Sequence, residues 1–226
     1  GLEPLRELNT EHALVFLPSH RSYVDPLILA EVLRAHDFPP NLVLGGNNLS
    51  FWPVGPIARR AGMIFIRRKF GSDPVYKFAM RSYLSFIVEK RFNLEWYIEG
   101  GRTRTGRLLP PKGGALVMTL RAYLREPRKP VLFQPVYIGY EKLMEGNSYL
   151  DELTGKPKEK ESIWQLITGI PKVLRSNYGQ VVVNFGEPIR LGEVLSERAP
   201  AWDGRPLGEV MQEALVMRHD APALIQ

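Results

Sequence analysis

The chain has 226 residues, 44% of them hydrophobic and 24% charged, with a net charge of +6 and no cysteine. That is ample apolar material for one packed domain, and it excludes a disordered, collagen-like or coiled-coil chain. The missing cysteines exclude a disulfide scaffold, a thiolate-bound metal and a thiol nucleophile.

Taken in order, no charged-then-apolar signal segment opens the sequence, and Gly1 is not a start methionine, so it reads as a single domain over 1–226 excised from a longer chain. The apolar run Ala13–Leu17 is expected to be a buried strand. The polar loop PSHRSYVD follows, then a helix from Pro26 to about Ala35, with Asp25 as its cap and proline in its first turn. Phe38 to Ala58 is an uncharged run of 21 residues, long enough on paper to span a bilayer, but it holds four prolines and three glycines. These would leave backbone groups unpaired in hydrocarbon, so the run reads as a buried strand, Asn41–Leu44, and a packed loop in which Trp52 suits an interface.

Met63–Ile66 is the next expected strand, and Val75–Phe92 a long helix with Phe78, Tyr83, Phe86 and Ile87 on or near one face. The strand Leu94–Ile98 runs into the loop EGGRTRTGRLLPPKGG, followed by a helix over about Ala115–Arg125 and the strand Val131–Ile138. Residues 141–162 read as an exposed loop, and a helix (Ile163–Ser176), a strand (Gln180–Phe185) and a helix (about Pro206–Arg218) complete the chain. Strands alternating with helices predict a three-layer α/β domain with a mixed, largely parallel sheet flanked by helices.

The charge is unevenly placed. Arg59 to Arg107 holds twelve basic residues against four acids, +8 locally, leaving −2 for the remainder. Such a block suits a phosphate-bearing substrate, a nucleic acid or an anionic membrane surface, and charge alone does not choose among them.

Standard catalytic signatures are absent: no G-x-S-x-G elbow, no H-E-x-x-H helix, no G-x-G-x-x-G turn. Gly101 to Leu108 imitates a P-loop but lacks its lysine and hydroxyl residue. What remains is His20 and Asp25, five residues apart at the end of an expected strand, where open α/β sheets bind ligands. A loop there can bring the carboxylate onto one imidazole nitrogen and leave the other to accept a proton from an alcohol. Two later strands end in groups suited to an anion: Arg67 and Arg68 after Ile66, and Glu99-Gly100-Gly101-Arg102-Thr103-Arg104 after Ile98. Guanidinium forks match phosphate oxygens, and glycine backbone N–H groups can add to an anion nest. Pro135 interrupts a strand and is expected at a sheet edge or a ligand wall.

The order His20-x4-Asp25, Gly62-x2-Phe65-Ile66-Arg67-Arg68, Glu99-Gly100-Gly101-Arg102 and Gln134-Pro135-Val136 resembles the four blocks of the glycerolipid acyltransferases. The connecting segments NLSFWPVGPIARRAGMIFIRR, WYIEGGRTRTGRLLPPKGG and PVYIGYE resemble one branch, the bacterial membrane-bound glycerol-3-phosphate acyltransferases, over roughly residues 10 to 190. Lysophosphatidate acyltransferases usually carry Asn before the histidine and a shorter third block, whereas Ser19 precedes His20 here. Gln134 stands where the family often has an apolar residue before the proline.

The resemblance implies the family's fold and transfer of a fatty acyl group from acyl-CoA or acyl carrier protein to the sn-1 hydroxyl of glycerol 3-phosphate. It implies His20 as general base, Asp25 as its orienting partner, and Arg68, Glu99, Gly100 and Pro135 at positions tied to substrate binding or catalysis. Charge and proximity add Arg67, Arg102 and Arg104 to the expected substrate-binding set, and the anion-nest reading of the glycines adds Gly101. No metal or cofactor is expected beyond the acyl donor as co-substrate. Peripheral attachment to the cytoplasmic side of the cell membrane is expected, and no nucleic acid. The alternatives are a dihydroxyacetone-phosphate acyltransferase and, from another class, a basic membrane-surface or nucleic-acid binding module.

Overall fold

The computed structural model describes residues 2–67, 73–103, 105–125, 130–143, 179–199, 202 and 205. The sequence-expected helices 163–176 and 206–218, and all of the loop 141–162 beyond residue 143, lie outside them.

Among the described residues the elements run α1 (Glu3–Glu11), β1 (Ala13–Pro18), α2 (Asp25–Ala35), β2 (Leu42–Gly46), a 3-10 turn (Asn47–Leu49), α3 (Val54–Arg60), β3 (Met63–Ile66), α4 (Pro74–Glu89), β4 (Leu94–Glu95), α5 (Gly114–Arg125), β5 (Val131–Tyr140), β6 (Val181–Phe185), β7 (Ile189–Arg190) and α6 (Leu191–Arg198). The strands form one sheet in the order β3-β2-β4-β1-β5-β6, with β7 also paired to β5. β3, β2, β4, β1 and β5 are parallel, whereas β6 and β7 run antiparallel to β5. The fold is the expected mixed, mostly parallel sheet flanked by helices.

Two apolar layers cover the sheet, which is why its central strands read as continuous hydrophobic runs. One layer joins Val15, Leu94 and Trp96 to Met80, Leu84, Ile87 and Val88 of α4 and to Leu120 and Tyr123 of α5. The other joins Leu14, Phe16 and Leu132 to Leu5 of α1 and to Leu29 and Leu33 of α2. Leu29 and Leu33 are spaced i, i+4 and so share one helix face; burying each contributes about 1.5–3 kcal/mol.

Three expectations need correction. Helix α4 buries Met80, Leu84, Ile87 and Val88, while Phe78, Tyr83 and Phe86 are exposed, because the 80-84-87 stripe is the one seated against the core. Leu94–Ile98 is regular strand only at Leu94–Glu95; the Trp96 N–H still donates to the Phe16 carbonyl, and then a turn closes between Tyr97 and Gly100. Pro135 is not at a sheet edge, since β5 lies between β1 and β6. β6 pairs with 136–140 and β7 with 132–133, so the proline, which has no N–H to give, falls in the gap between two antiparallel partners.

Candidate active site

The loop after β1 is tied down before it presents any side chain. The Ser19 N–H donates to the Val136 carbonyl at 2.9 Å, and the Ser19 hydroxyl accepts from the Ile138 N–H at 3.1 Å. The His20 carbonyl accepts from the Thr103 N–H at 2.8 Å, which joins this loop to the one after β4.

His20 Nδ1 lies 2.9 Å from Asp25 Oδ2, and the same oxygen accepts the N–H groups of Arg21 at 2.7 Å and Ser22 at 2.9 Å. The other oxygen, Oδ1, accepts the Tyr140 hydroxyl. A carboxylate in this setting accepts, so Nδ1 carries a proton, and in the neutral imidazole the lone pair is then on Nε2. Asp25 is fully buried, and the His20 side chain is 19% exposed. Asp25 is thus not the expected helix cap: Val24 takes that place without a side-chain cap, and the carboxylate turns back onto the loop.

Leu94, Trp96 and Ile98 point into the layer of α4 and α5, so the alternate residues Glu95, Tyr97 and Glu99 face the opposite side, that of α2 and His20. The Tyr97 ring packs on the His20 ring with centroids 4.0 Å apart and planes at 33°. Its hydroxyl donates to Glu95 Oε1 at 3.0 Å, and Asn41 Nδ2 donates to Glu95 Oε2 at 3.2 Å. Burial pushes the Glu95 carboxyl up to about 7, against the two hydrogen bonds, and the charge of Asp25 adds to the rise. Burial likewise raises the Tyr97 phenol well above its ordinary range, and the carboxylates of Glu95 and Asp25 add to this.

Glu99, expected to bind substrate, is buried with both oxygens occupied: Oε1 accepts the His20 N–H at 3.2 Å and Oε2 the Leu109 N–H at 2.8 Å. It therefore ties two loops together. Gly100 has φ +60°, and a Cβ there would meet Lys112 Cδ at 2.7 Å, which explains the glycine. Gly101 has open space beside it.

The Arg102 guanidinium lies over the Tyr23 ring at 3.5 Å, on the His20 loop. Arg67 is drawn instead to Asp73, at 3.2 Å, and to the Tyr76 ring. Its strand β3 lies three strands from β1, about 14 Å across the sheet, so the structure does not bring Arg67 to His20. Pro135 belongs to the site's frame: its carbonyl accepts from Gln134 Nε2 and the Gly186 N–H. Arg68 and Arg104 lie outside the described residues.

Sequence reasoning missed Ser19, Arg21, Glu95, Tyr97 and Tyr140. Arg21 spans the Tyr137 ring at 4.8 Å and the Gly106 carbonyl at 3.3 Å. A charged residue inside the apolar run LEWYI was the one legible signal, since a carboxylate in a central strand needs a reason.

Chemically, the arrangement offers an outward imidazole nitrogen backed by a buried carboxylate. The Ser19 and Ser22 hydroxyls are buried and so are not presented to a substrate. Among the described residues no group of three or more His, Asp or Glu side chains gathers as a metal site, and no helix is long and apolar enough to cross a membrane.

A His–Asp hydrogen-bonded pair at the ligand edge of a mixed α/β sheet marks the site, and residues 1–139 match the family model "Acyltransferase". The chain belongs to that family, and its flanked, mostly parallel sheet fits the glycerolipid acyltransferase fold. Residues 149–221 match "Glycerol-3-phosphate acyltransferase C-terminal region". The chain is 57% identical over 208 residues to the "Glycerol-3-phosphate acyltransferase" of Xanthomonas axonopodis pv. citri, covering 92% of this chain and 24% of that protein. A protein of the same name from Aeromonas hydrophila subsp. hydrophila is 48% identical over 203 residues, 89% of this chain and 25% of that one. The chain thus spans about a quarter of the length of the curated relatives it matches. A solved 1-acyl-sn-glycerophosphate (LPA) acyltransferase, PlsC from Thermotoga maritima, aligns over 95% of this chain and 67% of that one at 15% identity and a TM-score of 0.44.

Proposed function

We propose that this chain carries the catalytic centre of a glycerol-3-phosphate acyltransferase, with His20 as general base. The observation that carries the reading is the His20–Asp25 pair, whose Nε2 remains as acceptor at the ligand edge of the sheet. The names of the 57% and 48% identical relatives supply the acceptor.

The sn-1 hydroxyl of glycerol 3-phosphate attacks the thioester carbonyl of acyl-CoA or acyl carrier protein while Nε2 takes its proton. The new ester C–O bond forms, the C–S bond breaks, and the proton leaves with the thiolate. No acyl-enzyme, metal or further cofactor takes part. The Arg102 guanidinium and the Gly101 N–H are the described groups best suited to the phosphate, since the Gly100 N–H is already donated to the Tyr97 carbonyl, with Arg68 and Arg104 as further candidates. The protein works peripherally on the cytoplasmic face of the cell membrane, where its acyl donor and product partition.

General-base help is worth about 10² to 10⁴-fold. In the full-length protein, His20→Ala is expected to reduce glycerol 3-phosphate-dependent CoA release from palmitoyl-CoA by at least that factor, with an unchanged circular dichroism spectrum. Activity near wild type in the folded variant would overturn the mechanism. Preference for dihydroxyacetone phosphate would move the acceptor assignment to that compound.

A further inference from the structure

Glu95 is a fully buried carboxylate that the mechanism above does not use. It lies in the central strand β4, between β1 and β2 and opposite Phe16 and Val43. A continuous line of contacts leads from it to the reacting nitrogen: Asn41 to Glu95, Glu95 to the Tyr97 hydroxyl, the Tyr97 ring to the His20 ring, and His20 to Asp25.

A structural role alone would be filled better by glutamine. Asn41 Oδ1 is buried without a hydrogen-bond partner. A glutamine at 95 would accept from Tyr97 through Oε1. After a half turn of the Asn41 amide it would donate from Nε2 to that orphaned oxygen, and no charge would be buried. The chain nevertheless places an ionisable group here, and among the described residues no lysine or arginine pairs with it. The titratable groups that face it are Tyr97 from its own segment and Asp25 at the start of α2, with Tyr140 of β5 beyond Asp25 and His20 beyond the Tyr97 ring.

We propose that Glu95 is a positioning residue for His20, acting through Tyr97. Its carboxylate holds the Tyr97 hydroxyl, and the Tyr97 ring holds the plane of the imidazole. When ionised, it also places a second negative charge on the side of His20 away from substrate, which favours the protonated imidazole and so strengthens the base. The inference rests on the reading of His20 as general base.

The test is kcat and KM for glycerol 3-phosphate in the full-length protein, from about pH 5.5 to 9, so that both limbs of the profile are read. Wild type, Glu95→Gln, Tyr97→Phe and His20→Ala are compared. Glu95→Gln is expected to lower plateau kcat about tenfold with KM within about twofold, as misplacement of a catalytic group does. It should also shift the acid limb of kcat to lower pH, by less than a full charge would, because Glu95 itself ionises only near pH 7 and lends the imidazole negative charge only on the upper part of that limb. Tyr97→Phe keeps the ring and loses only the hydroxyl; it should lower kcat in the same direction with KM unchanged, and it decides the matter if Glu95→Gln fails to fold. Folded variants with wild-type kcat and an unshifted limb would overturn the proposal, as would a kcat loss that merely tracks a fall in thermal stability. His20→Ala separates the two readings. If it is inactive while the other variants behave as wild type, only the role of Glu95 falls; if it is active, the general-base reading itself falls.

Discussion

Glu99 and Asp25 are both buried acids in matching family blocks, yet their oxygens do different work. On Asp25 a side-chain nitrogen of His20 meets the carboxylate, so its charge reaches the imidazole ring. On Glu99 both oxygens meet backbone N–H groups, of His20 and Leu109, so its charge holds two loops at a fixed separation. Glu99→Gln puts an NH₂ against one of those donors and leaves a half-buried N–H unpaired, at a cost of about 1.5–3 kcal/mol for a charge-assisted bond. The expected outcome is a lower Tm and a lower kcat, with KM for glycerol 3-phosphate unchanged in the molecules that remain folded. A raised KM at unchanged Tm would instead mean that Glu99 touches the substrate.

At the scale of the element, the segment Leu94–Glu99 shows what a sequence discloses and what it hides. Its apolar character and its end at the ligand edge were legible, because burial of Leu94, Trp96 and Ile98 sets the hydrophobic count. The function of its other face was not, because a strand buried on both sides loses the period-2 contrast that marks a polar face. Tyr97 passes for core, and only Glu95 breaks the pattern. His20 and Asp25 were legible because their partnership is local; Tyr97, Glu95 and Tyr140 reach them only through strand pairing. Likewise α1 was unread because its nine residues carry only two leucines, Leu5 and Leu8, of which Leu5 is buried.

Burial of Glu95 has a consequence for stability against pH. Its folded pKa of about 7 exceeds the ordinary value of 4.5, so the folded state keeps a proton that the unfolded state releases. That contribution to stability is fully present below the unfolded pKa and is lost as pH rises through the folded one. The total loss is about 3 kcal/mol as an order of magnitude. Glu95→Gln should abolish that decline, making the variant the more stable of the two at pH 8 while it is the slower enzyme. Urea unfolding of wild type and variant at about pH 5 and pH 8 reads the difference. Equal pH dependence in both would mean that Glu95 ionises in the fold as freely as in the unfolded chain.

Across the whole molecule, parallel topology places every loop that leaves the C-terminal end of a parallel strand on one edge of the sheet. His20 is on that edge, and so are exposed apolar side chains from separate loops: Leu27 in the first turn of α2, Trp52 just before α3, Val75 and Phe78 at the start of α4, and Leu108 and Leu109 after β4. Trp52 is 79% and Phe78 70% exposed. Arg21, Arg67, Arg102 and Arg107 lie in the same set of connections. An edge that combines apolar side chains with cations is complementary to an anionic bilayer surface, and it surrounds the site that a fatty acyl chain must enter on the proposed function. The full-length protein should therefore sediment with phosphatidylglycerol vesicles more than with phosphatidylcholine vesicles, and less at high salt. Replacing Trp52 and Phe78 with serine should weaken that partitioning about tenfold for each side chain, the equivalent of losing burial of one large apolar group. Turnover of a short-chain, water-soluble acyl-CoA should stay at the wild-type rate, because neither residue bonds to the catalytic loop. Unchanged partitioning in the double variant would mean that this edge faces something other than lipid.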